Sequence, residues 1–232
     1  MDKVNIFGVM VDKLTMDAAL SRVKSWLDEE TRGHVIYTPN SEIIMAARRD
    51  KAFCALLNTA DMVTPDGIGV VAAARILGSS LPERVGGFDL TDKVIAYLGE
   101  RGGRLFILGG KKGVAEKAAE NLKARYPNLV IAGVNDGYFT EDAKVVEKVA
   151  LSRPDYLMVC LGAPKQEAWI GAYRDALCAK VIIGAGGSAD VFAGTAQRAP
   201  EVFIRHNLEW LYRIVKGKRL RRSLPPFMVV FF

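Results

Sequence analysis

The sequence predicts an α/β fold, a mostly parallel sheet covered by helices on both faces. Three observations carry that expectation. Short apolar runs of strand length alternate with longer helical patterns through most of the chain. The run Tyr156 to Cys160 is apolar without interruption, the mark of a strand buried on both faces of a parallel sheet. Finally, run after run ends in a cluster of Gly, Pro, Asn, Asp or Gln, and in open α/β sheets the carboxyl ends of strands are where ligands bind. The 232 residues suit one such domain or a domain with an appendage, and a hydrophobic content of 50% is enough for a full core.

Taken in order, Val4 to Val11 reads as a strand and Met16 to Leu27 as an amphipathic helix. Val35 to Tyr37 is a second strand, stopped by Pro39 in Thr38-Pro39-Asn40. Asn40 or Ser41 can cap the next helix, Glu42 to Arg49, so Asn40 is either a cap or a ligand group. Asp50 starts a further helix, Lys51 to Thr59. Met62-Val63 leads into Thr64-Pro65-Asp66-Gly67, with a helix from Ile68 to Leu77. Glu83-Arg84-Val85-Gly86-Gly87 reads as a loop brought close to something, although Arg84 alone would pass for a surface charge. A helix from Asp89 to Leu98 precedes the strand Arg104 to Leu108.

Gly109-Gly110-Lys111-Lys112-Gly113 then opens the helix Val114 to Tyr126, an arrangement that can present backbone N–H groups to phosphate. It is neither a GxGxxG fingerprint nor a Walker sequence. Leu129 to Ala132 is a strand running toward Tyr138 and Phe139, which offer either a stacking face or core. Glu141 to Leu151 is a helix. After Tyr156 to Cys160, Pro164 sits at a helix start with Gln166 and Glu167 in the first turn. Val181 to Ile183, the last strand, ends in Gly184-Ala185-Gly186-Gly187-Ser188-Ala189-Asp190.

The net charge of +6 is unevenly placed. Residues 198–232 hold eight basic and two acidic residues, the whole excess, so residues 1–197 are neutral. A local basic patch implies an anionic partner. At helical spacing Arg205, Glu209, Arg213 and Lys216 share one narrow stripe while apolar residues cover the rest. Such a helix must bury against the domain, a lipid surface or a second copy of the chain in a homo-oligomer. A basic cluster from Lys216 to Arg222 and the apolar end Leu224 to Phe232 fit attachment to an anionic membrane surface. We therefore divide the chain into an α/β domain, 1–197, and a basic, apolar helical appendage, 198–232.

Composition also excludes. Three cysteines without CxxC and only two histidines argue against a disulfide frame or a zinc site. No stretch approaches the ~18 apolar residues of a membrane span, and the start of the chain reads as strand, not as a signal peptide. A nicotinamide-dependent oxidoreductase would share the alternation but needs the full glycine fingerprint. A nucleic-acid module would use the basic tail, yet a neutral body and a Phe-Phe end favour lipid, so no nucleic-acid partner is expected.

Asp66 is central because it stands at a strand's carboxyl end, where a carboxylate can act as general base. Its local alternative is to cap the following helix.

The segments Thr38-Pro39-Asn40, Thr64 to Gly67, Glu83 to Gly87, Leu108 to Gly110, Gly137 to Phe139, Leu161 to Glu167, Gly186-Gly187, Arg198-Ala199-Pro200 and Leu208 to Arg213 occur together and in order. In this the chain resembles, over essentially its full length, the WecG/TagA/CpsF glycosyltransferases, family 26. The resemblance implies a Rossmann-like fold and inverting transfer from a UDP-sugar to a lipid-diphosphate-linked acceptor at the cytoplasmic membrane face. The TagA branch adds N-acetylmannosamine to undecaprenyl-diphosphate-linked N-acetylglucosamine for wall teichoic acid, and the WecG branch uses the same donor sugar for enterobacterial common antigen. Other UDP-sugars would serve capsule or exopolysaccharide.

On this reading Asp66 is the base, and Thr38, Asn40, Arg84 and Gln166 position donor sugar and acceptor. Gly109, Gly110, Tyr138, Gly186, Gly187 and Asp190 surround the nucleotide. Arg213, Arg219, Arg221 and Arg222 neutralise the departing diphosphate. No Asp-x-Asp triplet is present, so neither a metal nor another cofactor is expected. Ala189 stands where relatives carry a bulkier apolar residue, a matter of local packing.

Overall fold

A computed structural model of the chain describes residues 2–200 together with Val202, Phe203, Glu209 and Tyr212. Arg213, Arg219, Arg221 and Arg222, with the rest of the basic cluster and the apolar end, lie outside the described residues. The N-terminal run is not one strand. It is a hairpin of β1 (Lys3–Ile6) and β2 (Val9–Asp12), paired antiparallel as a separate two-stranded sheet. Phe7 and Gly8 both take positive φ, 52° and 98°, the backbone of a tight two-residue hairpin turn. Asn5 supports the turn by accepting a hydrogen bond from the Gly8 N–H at 2.8 Å.

The remaining elements alternate as expected. Helix α1 (Met16–Asp28) leads to β3 (His34–Tyr37), and α2 (Ser41–Arg49) and α3 (Lys51–Leu57) lead to β4 (Met62–Val63). Helices α4 (Ile68–Ile76) and α5 (Gly87–Arg101) precede β5 (Arg104–Gly109). Then come α6 (Val114–Arg125), β6 (Val130–Asn135), α7 (Asp142–Ser152), β7 (Tyr156–Cys160), α8 (Lys165–Tyr173), β8 (Val181–Gly184) and α9 (Ser188–Phe192). The six strands β3 to β8 form one parallel sheet in the order β4-β3-β8-β7-β5-β6. This is the Rossmann-like α/β architecture that the alternation predicts.

Period-two alternation splits the sheet's side chains between two cores. Ile36, Leu105, Ile107, Tyr156, Met158, Val181 and Ile183 face a core built with α1, α5, α6 and α9. Val35, Tyr37, Phe106, Leu108, Leu157, Val159 and Ile182 face a second core, which the hairpin and α2, α3, α4, α7 and α8 cover. All of β7 and β8 is buried, as a central pair must be. Ala189 is fully buried in the first core, so a small side chain is accommodated where bulk was expected. Because the strands run parallel, the segments after β4, β3, β8 and β7 emerge side by side at one edge.

Candidate active site

Four neighbouring strand ends build a cleft of about 680 Å³ at that edge. The turns after β3 and β4 run together: the Thr64 N–H donates to Tyr37 O at 2.9 Å and the Asp66 N–H to Pro39 O at 3.3 Å. The loop before α5 is tied to them, with the Val85 N–H donating to Pro65 O at 3.0 Å. Gly87 opens α5 so close to Thr38 that a Cβ on it would stand 2.7 Å from Thr38 Oγ1. That contact explains the second glycine of the Gly86-Gly87 pair.

Asp66 does not cap α4. The cap position is Gly67, with φ of 98° and no side-chain bond to the helix. The Asp66 carboxylate lies instead at the start of α5, where Oδ2 accepts from the Gly87 N–H at 3.4 Å and Oδ1 stands 3.9 Å from Arg84 Nη1. Asn40 does cap: its Oδ1 accepts from the Ile43 N–H at 3.0 Å. Its NH2 is bonded to no described residue and remains a donor at the cleft wall. Thr38 donates its hydroxyl to Gly184 O at 3.0 Å, joining the ends of β3 and β8.

Thr38, Asn40, Asp66, Gln166, Gly186, Gly187 and Asp190 therefore line one cleft. Gly109, Gly110 and Tyr138 do not line it. They lie at the ends of β5 and β6, on the far side of β7, where the Gly137 N–H donates to Gly110 O at 2.9 Å and Tyr138 is exposed. Arg84 stands just behind Asp66 and is not itself a lining residue.

A row of alternating charge that the sequence does not advertise runs from Asp66 to the appendage. Arg84 Nη2 binds Asp89 Oδ2 at 2.6 Å, the other oxygen of Asp89 takes Arg198 Nη2 at 2.7 Å, and that nitrogen is 3.9 Å from Glu209 Oε2. The Arg198 guanidinium also covers the Phe88 ring at 4.4 Å, and Phe88 stacks on Phe192. Sequence reasoning assigned no role to Glu42, Phe88 and Arg198, which line the cleft, or to Asp89, which holds Arg198 without lining it. The available signal was Arg198-Ala199-Pro200, a segment quoted for the resemblance without a role. Asp89 holds both arginines, so D89N is expected to lower kcat/KM about tenfold and to show 0.5–3 kcal/mol of coupling with R198Q in a double-mutant cycle. Additive losses would mean that Asp89 and Arg198 act independently.

Among the described residues the cleft is short of positive charge. Among the described residues that line it, Glu42, Asp66, Asp190 and Glu209 are acidic and Arg198 is the one arginine or lysine. Nor do the described residues contain a cluster of three His, Cys, Asp or Glu able to hold a metal ion.

Known proteins resemble the chain along its whole length. Residues 4–232 match the model described as "Glycosyl transferase WecG/TagA/CpsF family". The chain belongs to this family. It is therefore a glycosyltransferase, and the cleft at the carboxyl edge is its candidate active site. An N-acetylglucosaminyldiphosphoundecaprenol N-acetyl-beta-D-mannosaminyltransferase of Bacillus spizizenii (strain W23) is 38% identical over 214 residues, 90% of this chain and 83% of the relative. The enzyme of the same name from Staphylococcus aureus (strain MRSA252) is 37% identical over 230 residues, 97% of this chain and 91% of its own. A glycosyltransferase of this family must hold a donor and an acceptor at once, and the cleft is lined both by polar groups such as Asp190 and Arg198 and by apolar ones such as Ile43, Ala46 and Phe53.

Proposed function

We propose that this glycosyltransferase moves N-acetylmannosamine from UDP-N-acetylmannosamine to undecaprenyl-diphosphate-linked N-acetylglucosamine, in wall teichoic acid synthesis at the inner face of the cell membrane. The observation that carries the reading is the match, over nearly the whole chain, to enzymes named for that transfer. The placement of Asp66 in the cleft supports it. Asp66 takes the proton of the acceptor hydroxyl as its oxygen attacks the anomeric carbon. The bond from that carbon to the diphosphate breaks, UDP leaves with the bonding pair, and the anomeric configuration inverts. Thr38, Asn40 and Gln166 orient the two sugars, and Arg84 steadies Asp66. Gly186, Gly187 and Asp190 flank the nucleotide.

The leaving diphosphate needs cations. Among the described residues the cleft offers Arg198 as its one arginine or lysine, and we assign the remaining neutralisation to Arg213, Arg219, Arg221 and Arg222, forked donors suited to phosphate. We place the catalytic domain at 1–197 and assign 198–232 to membrane association and completion of the site. No helix among the described residues is long and apolar enough to cross a membrane, and the proposed attachment is peripheral.

Incubation with a panel of UDP-sugars and a short-chain lipid-diphosphate acceptor, reading UDP release, tests the assignment. Turnover with UDP-N-acetylmannosamine is expected. Preference for another UDP-sugar would move the enzyme to capsule or exopolysaccharide synthesis. The same assay is expected to give full activity in excess EDTA. A loss that magnesium or manganese restores would reveal a carboxylate metal site and remove the arginines from leaving-group stabilisation.

A further inference from the structure

Gln166, in the cleft wall, and Glu167, which does not line it, form a buried pair. They are 3% and 2% exposed, and Gln166 Nε2 donates to Glu167 Oε1 at 2.8 Å. Adjacent positions on a helix ordinarily point about 100° apart, yet here the two side chains meet. The other end of the Gln166 amide is also held: its Oε1 accepts from the Gly186 N–H at 3.1 Å. A backbone N–H can only donate, so the oxygen must face Gly186 and the nitrogen must face Glu167. The same nitrogen lies over the end of β8, 2.9 Å from where a Cβ on Gly184 would stand. One hydrogen of Nε2 goes to Glu167, and the second is given to no described residue at the cleft wall.

We propose that Glu167 is a positioning residue that acts through Gln166. It clamps the amide nitrogen while Gly186 clamps the oxygen, so that the remaining N–H is presented at a fixed angle to a hydroxyl or carbonyl oxygen of the bound sugar. With one clamp the amide can swing about the Gly186 contact. With two it is fixed, and the Gly186-Gly187 turn is tied to α8 through the same group. The carboxylate is poorly suited to mere packing, because Glu167 Oε2 has no hydrogen-bond partner among the described residues. Burial raises the carboxyl pKa above its ordinary value. A neutral side chain would fill that space at lower cost. Protonated or ionised, the carboxyl keeps an oxygen able to accept from Nε2, so the clamp does not depend on its charge.

The inference rests on the reading of the cleft as the sugar site. The experiment is a double-mutant cycle on the full-length enzyme with whichever UDP-sugar it turns over. E167M removes the acceptor and is expected to lower kcat about ten- to a hundredfold, with a smaller change in KM and a cooperative melt. E167Q, whose amide oxygen can accept the same bond, is expected to restore turnover to within about threefold of wild type. In a Q166A background E167M is expected to cost nothing further, because the group it positions is already gone. Three results would overturn the proposal: an equal loss from E167M with and without Gln166, an E167Q enzyme as slow as E167M, or an E167M chain that does not fold. Absence of turnover with every UDP-sugar would be a different failure, that of the functional assignment.

Discussion

Replacing Asp66 by Asn is expected to cut turnover at least a hundredfold while UDP-sugar binding stays close to wild type. The loss of a general base typically costs on the order of 10²–10⁴ in rate. The substitution tests that role because Asn keeps the shape of the Asp66 side chain. It does not cap α4. The Gly87 N–H at 3.4 Å can be accepted by the one amide oxygen of Asn. Arg84 keeps its short pair with Asp89, so the guanidinium is not set adrift. Asp66 is also partly open to solvent, with a third of its side chain exposed, and no core is disturbed. The melting midpoint is expected to move by no more than a few degrees, the scale of about 1 kcal/mol in a domain this size. Near-normal turnover of D66N would transfer the base to another group in the cleft.

The legible part of the site is the part that strand ends determine. Thr38, Asn40, Asp66, Gln166, Gly186, Gly187 and Asp190 each follow a parallel strand within a few residues, so recognising the strands already placed them at one edge. The order of strands was not legible. Nothing in a run such as Val181 to Ile183 says that it pairs between β3 and β7, and that insertion leaves Gly109, Gly110 and Tyr138 beyond β7. The hairpin was missed because Phe7 is an unusual residue for a positive-φ turn. Gly8 inside an apolar run was the one local sign. The contacts of Asp89 with Arg84 and Arg198, 109 residues away, belong to tertiary packing and leave no periodic trace. Capping was legible at Asn40 and misleading at Asp66, since both precede helices and only the first lies at the capping position.

Removal of the appendage is expected to have the other large effect. Truncation after Thr195 should leave a folded α/β body, because every strand and helix from β1 to α9 ends by Phe192. It should no longer bind anionic liposomes, since residues 1–197 carry no net charge and the last 35 residues carry the whole excess, with Trp210, Phe227, Phe231 and Phe232 among them. It should also transfer sugar at least a hundredfold more slowly to a water-soluble acceptor, the scale on which lost electrostatic stabilisation of a transition state is felt. The truncation removes Arg198 as well, and with it one partner of Asp89, so a second variant separates the two contributions. R219Q/R221Q/R222Q keeps Arg198 and the full chain. At ~1 kcal/mol for each basic residue near an anionic surface, it should weaken liposome binding on the order of a hundredfold, and the wild-type interaction should fade with added salt. The water-soluble acceptor decides what the arginines do, because with it the membrane no longer matters. Slow transfer by the triple variant places them at the diphosphate, where the described cleft offers four carboxylates and one arginine. Normal transfer by the triple variant reduces Arg219, Arg221 and Arg222 to an anchor. Normal transfer by the truncated enzyme would do the same for the whole appendage and leave the departing UDP to be stabilised by the α/β domain alone.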